Sequence, residues 1–147
     1  IAGSAKRMIA TDYSEGMIAQ AKKGRYPSNL IFEVADATNL PYEDDSFDVV
    51  LIANALHIIP EPERALSEID RVLKDKGILI APTFVNHQGG AVSRLWSKML
   101  KIGGVRFEHE WSKNDYEDFL KKNGWKVVNS KSLGARITMD YVECVRS

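Results

Sequence analysis

Ser46-Phe47-Asp48-Val49-Val50-Leu51-Ile52-Ala53-Asn54-Ala55-Leu56-His57 is the stretch whose reading decides the fold. From Phe47 to Ala53 it is the most continuous apolar run in the chain, rich in β-branched residues and too short for an amphipathic helix. Such a run reads as a strand buried on both faces, the kind found in the middle of a parallel sheet. A sheet of that type needs helices on either side, so the flanking sequence should alternate between short apolar runs and helical periodicity.

It does so in both directions. Upstream, Arg7 to Thr11 is a short apolar run ended by Asp12. Ser14 then suits the cap of a helix through Lys23, with Met17, Ile18 and Ala21 on one face and Gly24 placed for a left-handed stop. Leu30 to Ala35 repeats the strand pattern and ends on Asp36, before a turn-rich stretch from Asn39 through Pro41 to Ser46. Downstream, Pro62 between two glutamates suits a first helical turn, and Ala65, Leu66, Ile69, Val72 and Leu73 recur at helical spacing. Arg71, Lys74 and Lys76 precede Gly77 as an expected stop, and Ile78 to Ala81 reads as the next buried strand.

From Asn86 to Trp111 the alternation breaks. Val92, Leu95, Trp96 and Met99 predict an inserted helix, expected to form a lid over the strand ends. Ser112 caps a further predicted helix carrying Tyr116, Phe119 and Leu120 and closing at Asn123-Gly124. Trp125 to Ser130 and Ile137 to Val145 follow as two strands whose short link containing Gly134 predicts an antiparallel hairpin. The expected architecture is α/β: a doubly wound, Rossmann-like, mostly parallel sheet with a C-terminal antiparallel hairpin.

Composition narrows the function classes. The 147 residues are about one domain's worth of chain, and 44% hydrophobic with 27% charged residues is ordinary for a globular protein. Twenty Lys and Arg against twenty Asp and Glu give no net charge, so no global field draws the chain to nucleic acid or to an anionic membrane. No apolar window is long enough to span a bilayer. One cysteine, Cys144, forms neither an internal disulfide nor a cysteine-rich metal site, which suits a reducing cytoplasm. No metal is expected.

In doubly wound sheets ligands bind beyond the carboxyl ends of the strands. The segments there are Asp12-Tyr13-Ser14, Asp36-Ala37, Asn54-Ala55-Leu56-His57 and Pro82-Thr83-Phe84. An ionised carboxylate at such a position offers two acceptor oxygens to a ribose, although an isolated Asp equally well begins a turn or caps a helix.

Taken in order, the motifs are more specific: Asp-x-Ser-x-x-Met from Asp12, Asp-Ala-x-x-Leu-Pro-Tyr from Asp36, Ser-Phe-Asp-x-Val from Ser46, Asn-Ala-Leu-His from Asn54 and Leu-Lys-x-x-Gly-Ile-Leu from Leu73. The set resembles class I S-adenosylmethionine-dependent methyltransferases, and within them the type 11 group acting on small molecules. The resemblance implies methyl transfer to a small-molecule acceptor with S-adenosyl-L-methionine as cofactor and S-adenosylhomocysteine as product. It places Asp12 on the ribose hydroxyls, Met17 against the adenine with Tyr13 and Ser14 beside it, and Asp36 with the backbone of Ala37 at the adenine edge. Asn54 would line the methionine end, and Leu56 and His57 would border the transferred methyl. His57 is the candidate general base for an acceptor that must lose a proton. His87, His109, Trp111 and Tyr141 are further candidates to face the acceptor.

The family's glycine-rich loop after a first strand has no counterpart upstream of Asp12, where Gly3 stands isolated. By the order of the motifs, Ile1 falls just before the family's second strand. The expectation is therefore a single, N-terminally truncated domain whose central strand is absent, with the strands near 7–11 and 47–53 facing one another across the gap. An upstream segment, a strand from another chain in a homodimer or by strand exchange, or collapse of the two edges would each resolve it. Two other function classes stay open: a non-catalytic or regulatory protein of this fold, and a nicotinamide-dependent oxidoreductase domain, disfavoured by Asp36, the Asn-Ala-Leu-His segment and the terminal hairpin.

Overall fold

The structure, a computed structural model, describes residues 2–85, 108–133 and 139–147. Its strands are β1 (Met8–Asp12), β2 (Leu30–Val34), β3 (Phe47–Leu51), β4 (Leu73–Ile80), β5 (Thr83–Phe84), β6 (Trp125–Leu133) and β7 (Met139–Arg146). The helices among the described residues are α1 (Glu15–Ala21), α2 (Pro62–Val72) and α3 (Lys113–Lys122), with a 3-10 turn at Ala2–Ser4. The expected helix and lid at 86–111 lie outside the described residues up to 107, as does the hairpin link at 134–138.

The strands form two sheets. β1 and β2 pair in parallel, Met8 opposite Leu30 through Asp12 opposite Val34. β3 pairs in parallel with β4, and β4 antiparallel with β7 through Leu79–Cys144 and Ile80–Glu143. β5 continues along the same edge of β7, Thr83 opposite Asp140, while β6 lines the other edge from Trp125–Arg146 to Leu133–Met139. This is the expected α/β sheet with its antiparallel hairpin, divided between β1 and β3.

Helices α2 and α3 cover one face of the five-stranded sheet. Leu66, Ile69 and Val72 from α2 and Tyr116 and Leu120 from α3 close on Leu79, Trp125, Val142 and Cys144, all at most 2% exposed. Pro62 stands in the first turn of α2, where its missing N–H costs nothing. Ser112 and Asp115 form a reciprocal capping box at the start of α3, and Gly124 follows its end at φ +85°. The opposite face is bare: Val49, Leu51 and Ile78 point outward with 50%, 43% and 39% of their surface exposed.

Four local expectations are corrected. β3 has the composition of a central strand but pairs on one side only among the described residues; an apolar run reports how a strand is meant to be covered, not how many neighbours it has. Gly77 does not stop α2, which ends at Val72 as Leu73 turns extended at ψ 134° and opens β4. Residues 74–77 form an excursion in β4 before Ile78 regains register with Val49, and a Cβ on Gly77 would lie 2.5 Å from Leu73 Cγ. Close approach to Leu73, not a cap, is what requires glycine there. Gly24 is likewise not a left-handed stop, since α1 closes over Lys22 in right-handed geometry. Met17 is 59% exposed and off the packed face, so α1 buries Ile18 alone.

Candidate functional site

Within each parallel pair the carboxyl ends point the same way, and polar segments follow them. Asp12 ends β1, and its carbonyl accepts the Ala35 N–H at 3.1 Å, holding the ends of β1 and β2 together. Asp12 Oδ1 accepts the Ser14 N–H at 2.8 Å, and Ser14 Oγ accepts the Met17 N–H at 3.3 Å. The turn after β1 thus fixes one oxygen of an exposed carboxylate. Tyr13, 79% exposed, and Met17 stand beside it. A shallow cleft of about 200 Å³ runs from Asp12 and Met17 to Ile18, Ala21, Ala10 and Phe32.

Asp36 follows β2 and is built the same way. Its Oδ1 accepts both the backbone N–H and the hydroxyl of Thr38 at 2.8 Å. The backbone bond above all, then the hydroxyl, holds the carboxyl below its ordinary value and keeps it ionised. Ala37 is half-buried and packs on the core. Neither Thr38 nor its double bond to Asp36 was singled out in the sequence; the signal was the Asp-x-Thr spacing of a side-chain-capped turn.

Asn54 lies beyond β3 at φ +51°, a left-handed conformation that asparagine tolerates better than most residues. Its N–H donates to Pro82 O at 2.8 Å, tying the end of β3 to the segment after β4, while its buried Oδ1 has no hydrogen-bond partner. A strained residue with an unspent acceptor at a strand end is a place where a ligand's donor can be received.

Leu56 is 1% exposed and packs in the core cluster. His57 is also buried, with Nδ1 3.0 Å from Thr83 Oγ1 and its ring edge-on to Phe84. Burial pushes its pKa below the ordinary value, so the neutral ring prevails near neutrality. The His57 carbonyl accepts from the N–H groups of Glu108 and His109, anchoring the returning chain at the site. His109 stacks on Trp111, which stacks on Phe119 of α3, so Trp111 is committed to packing. Tyr141 donates to Glu143 on the face of β7 away from α3. His87 lies outside the described residues.

The arrangement has the acceptors an adenosine would require, Asp12 and Asp36 on adjacent strands, and an open acceptor at Asn54. Its third side is the division between β1 and β3, where the described residues supply no donors. No cluster of His, Cys, Asp and Glu among them could hold a metal ion. Cys144 is buried, and burial raises its thiol to about 12, which leaves it unreactive.

Comparison with known proteins shows the family. Residues 1–81 match the family described as a methyltransferase domain. The chain is 34% identical over 140 residues to the ubiquinone/menaquinone biosynthesis C-methyltransferase UbiE of Campylobacter jejuni, a match covering 88% of this chain and 58% of that protein. It is 39% identical over 85 residues to the demethylmenaquinone methyltransferase of Clavibacter sepedonicus, covering 57% of this chain and 35% of that one. The chain thus spans between about a third and three-fifths of the length of these relatives. A SAM-dependent methyltransferase from Methanosarcina mazei superposes with a TM-score of 0.72 at 18% identity, covering 94% of this chain and 81% of that one. The [4+2]-cyclase SpnF superposes at 0.77 and 19%, covering 99% and 68%. At such identities these structures speak for the Rossmann-like fold, and the cyclase is a reminder that the fold does not dictate the reaction.

Proposed function

The chain belongs to the methyltransferase domain family, and from that premise we propose that it forms the adenosine-binding half and inner wall of an S-adenosylmethionine-dependent enzyme that methylates a small molecule. The observation that carries this reading is the row of Asp12, Asp36 and Asn54 at the carboxyl ends of β1, β2 and β3, each with an oxygen not spent on the protein's own turns. Asp12 would hold the ribose hydroxyls, with Tyr13, Ser14 and Met17 at the exposed edge. Asp36 and the Ala37 backbone would meet the adenine, and Asn54 the methionine end.

The cofactor's sulfonium supplies an already activated methyl group, so the protein's task is mainly to align the acceptor and exclude water. Asn54 and the segment at His57 form the wall nearest the transferred group. For an acceptor that must lose a proton, His57 is the group placed to take it, as a buried neutral imidazole. The names of the relatives favour a quinone-type aromatic ring as acceptor, methylated at carbon. A lone cysteine and the absence of net charge support a cytoplasmic enzyme without a nucleic-acid partner, and no helix among the described residues is long and apolar enough to cross a membrane.

The same reading completes the sheet. Among the described residues β1 and β3 each have an unpaired edge, and Tyr42 bridges their sheets by donating to Glu33 of β2 and packing on Phe47 of β3. A strand inserted between them, followed by a glycine loop and a helix over Val49, Leu51 and Ile78, would supply the missing donors and cover the bare face. It would come from upstream sequence or from a second copy. Calorimetric titration of S-adenosylhomocysteine tests this directly. Binding is expected for a chain carrying an upstream strand, glycine loop and helix, and far weaker binding for residues 1–147 alone. In the binding form Asp12→Ala should weaken affinity by about 1.5 to 3 kcal/mol, roughly ten- to a hundredfold in Kd, the range for hydrogen bonds to a charged group. Unchanged affinity would remove Asp12 from the ribose, and no binding by either form would favour a non-catalytic member of the fold.

A further inference from the structure

The two sheets share no strand pairing among the described residues, and the chain crosses from one to the other through residues 35–46. Glu68 and Arg71, three residues apart on α2, grip that crossing. Glu68 Oε2 accepts the Leu40 N–H at 2.8 Å, and Arg71 Nη2 donates to the Leu40 carbonyl at 3.0 Å, so both backbone polar groups of one residue are held. Arg71 Nη1 donates to Tyr42 O at 2.7 Å and to Asp44 Oδ1 at 2.8 Å. Its Nε and Nη2 close a fork on Glu68 Oε1 and Oε2 at 3.0 and 2.8 Å. Every N–H of the guanidinium is thereby spent. Tyr42, held at its carbonyl, reaches β2 through its hydroxyl on Glu33 at 2.8 Å, and the Asp45 and Ser46 N–H groups donate to Arg71 O and Val72 O.

The grip falls directly after the turn that carries Asp36. That turn is closed by its own bonds, from Asn39 N–H to Asp36 O and from Thr38 to Asp36 Oδ1. Holding Leu40 therefore leaves the turn's shape alone and sets where it stands relative to α2. Leu66 and Ile69 of α2 pack in one core with Leu79 of β4, and Asn54 is tied to Pro82 just beyond β4, so α2 and Asn54 belong to the same body. A ligand held at Asp12 and Asp36 alone is indifferent to the spacing between the sheets, whereas one that reaches Asn54 as well depends on it. We propose that Glu68 and Arg71 are positioning residues that clamp the Leu40 peptide and so fix the span between the Asp36 turn and Asn54 over which a single cofactor molecule is held. The consequence for binding rests on the cofactor reading, but the joint itself can be read without any ligand.

The first measurement is the distance between spin labels attached at Lys22→Cys, at the end of α1, and Lys126→Cys, on β6, both exposed positions, read by pulsed electron resonance. Cys144 is buried, with its thiol pushed up to about 12, and stays unlabelled. One narrow distance is expected. Arg71→Lys, which keeps the charge but not the planar fork, and Glu68→Ala should each broaden it, and Glu68→Gln, which still offers the Leu40 N–H an acceptor, should broaden it less. A distance already broad without substitution, or one unmoved in Arg71→Lys and Glu68→Ala, would overturn the proposal; should one of the two fail to fold, the other decides. The second measurement compares ligands in the form that binds S-adenosylhomocysteine. Arg71→Lys should raise its Kd about tenfold, on the order expected for a small misplacement of binding groups, and leave the Kd of adenosine unchanged. Equal losses for both ligands would reduce the pair to a general structural role and overturn the proposal. If no form binds S-adenosylhomocysteine, the cofactor reading falls and the label distances still decide whether the clamp fixes the two sheets.

Discussion

In the five-stranded sheet, Leu79, Val142 and Cys144 are fully buried beneath α2 and α3, and Trp125 beneath them is 1% exposed. In the two-stranded sheet no side chain of β1 or β2 is fully buried, and α1 buries Ile18 alone. The two regions share signals as sequence: β1, β2 and β3 are largely apolar runs, and α1 and α3 each open on a capping serine. What separates them is the number of layers. A parallel strand pair with one short helix leaves its second face and both outer edges open, whereas β4 and β7 have neighbours on either side and two helices above. Asp12 and Asp36, the acids proposed to face the cofactor, thus sit on the region with least packing among the described residues.

The largest expected effect exposes this difference directly. Trp125→Ala should cost about 3 to 5 kcal/mol in chemical denaturation, because the ring lies in a close-packed core. Phe32→Ala, on the half-buried β2, should cost less than half as much, its ring being packed edge-on against Tyr26 rather than under a helix pair. Equal losses would mean that β1 and β2 share one cooperative core with the rest, and the contrast drawn above would fail.

A second effect separates the regions by pH. Burial lowers the pKa of His57, so the unfolded chain takes up its proton first as the pH falls. The stability contributed by the neutral ring is complete above the ordinary value of 6.5 and is lost as the pH drops through the depressed folded value. Asp36 and Glu68 also have lowered values, but those carboxylates take up protons only below about 4.5. Between pH 7.5 and 5.5 the wild type should therefore lose more stability than His57→Gln. Parallel pH curves for the two proteins would place His57 in a solvated setting.

How far the sequence was legible follows the same division. The positions of β1 to β4 and of α1, α2 and α3 could be read because burial of one face imposes a period on the residues. Neighbours could not, since Val49 and Leu51 look the same whether or not a strand lies beside them. Gly77 was visible as a special position, but a requirement for space against Leu73 leaves the same mark as a helix stop. Asp12, Asp36 and Asn54 could be nominated from sequence because strand ends are where a doubly wound sheet gathers ligands. The burial of Asp140 could not be read, because a charge within an alternating strand normally marks the solvent face; here it falls in line with buried Val142 and Cys144.

The smallest effect is also the most local. Ser14 and Ser112 each accept a backbone N–H at 3.3 Å as helix caps, so the two bonds are the same by length. Only Ser112 has the reciprocal contact from its third helical residue, and only α3 lies on the core, through Tyr116 and Leu120. A cap contributes to global stability to the extent that its helix unfolds with the whole molecule. Ser112→Ala should therefore cost about 1 kcal/mol in global unfolding, the usual worth of a cap. Ser14→Ala should leave the global midpoint within a few tenths of a kcal/mol and appear instead as faster amide exchange at Met17, whose N–H loses its acceptor. A global loss at Ser14 equal to that at Ser112 would show α1 locked to the core. A strand and helix supplied between β1 and β3 should produce that same change, and the pair of caps then becomes a gauge of whether the sheet has been completed.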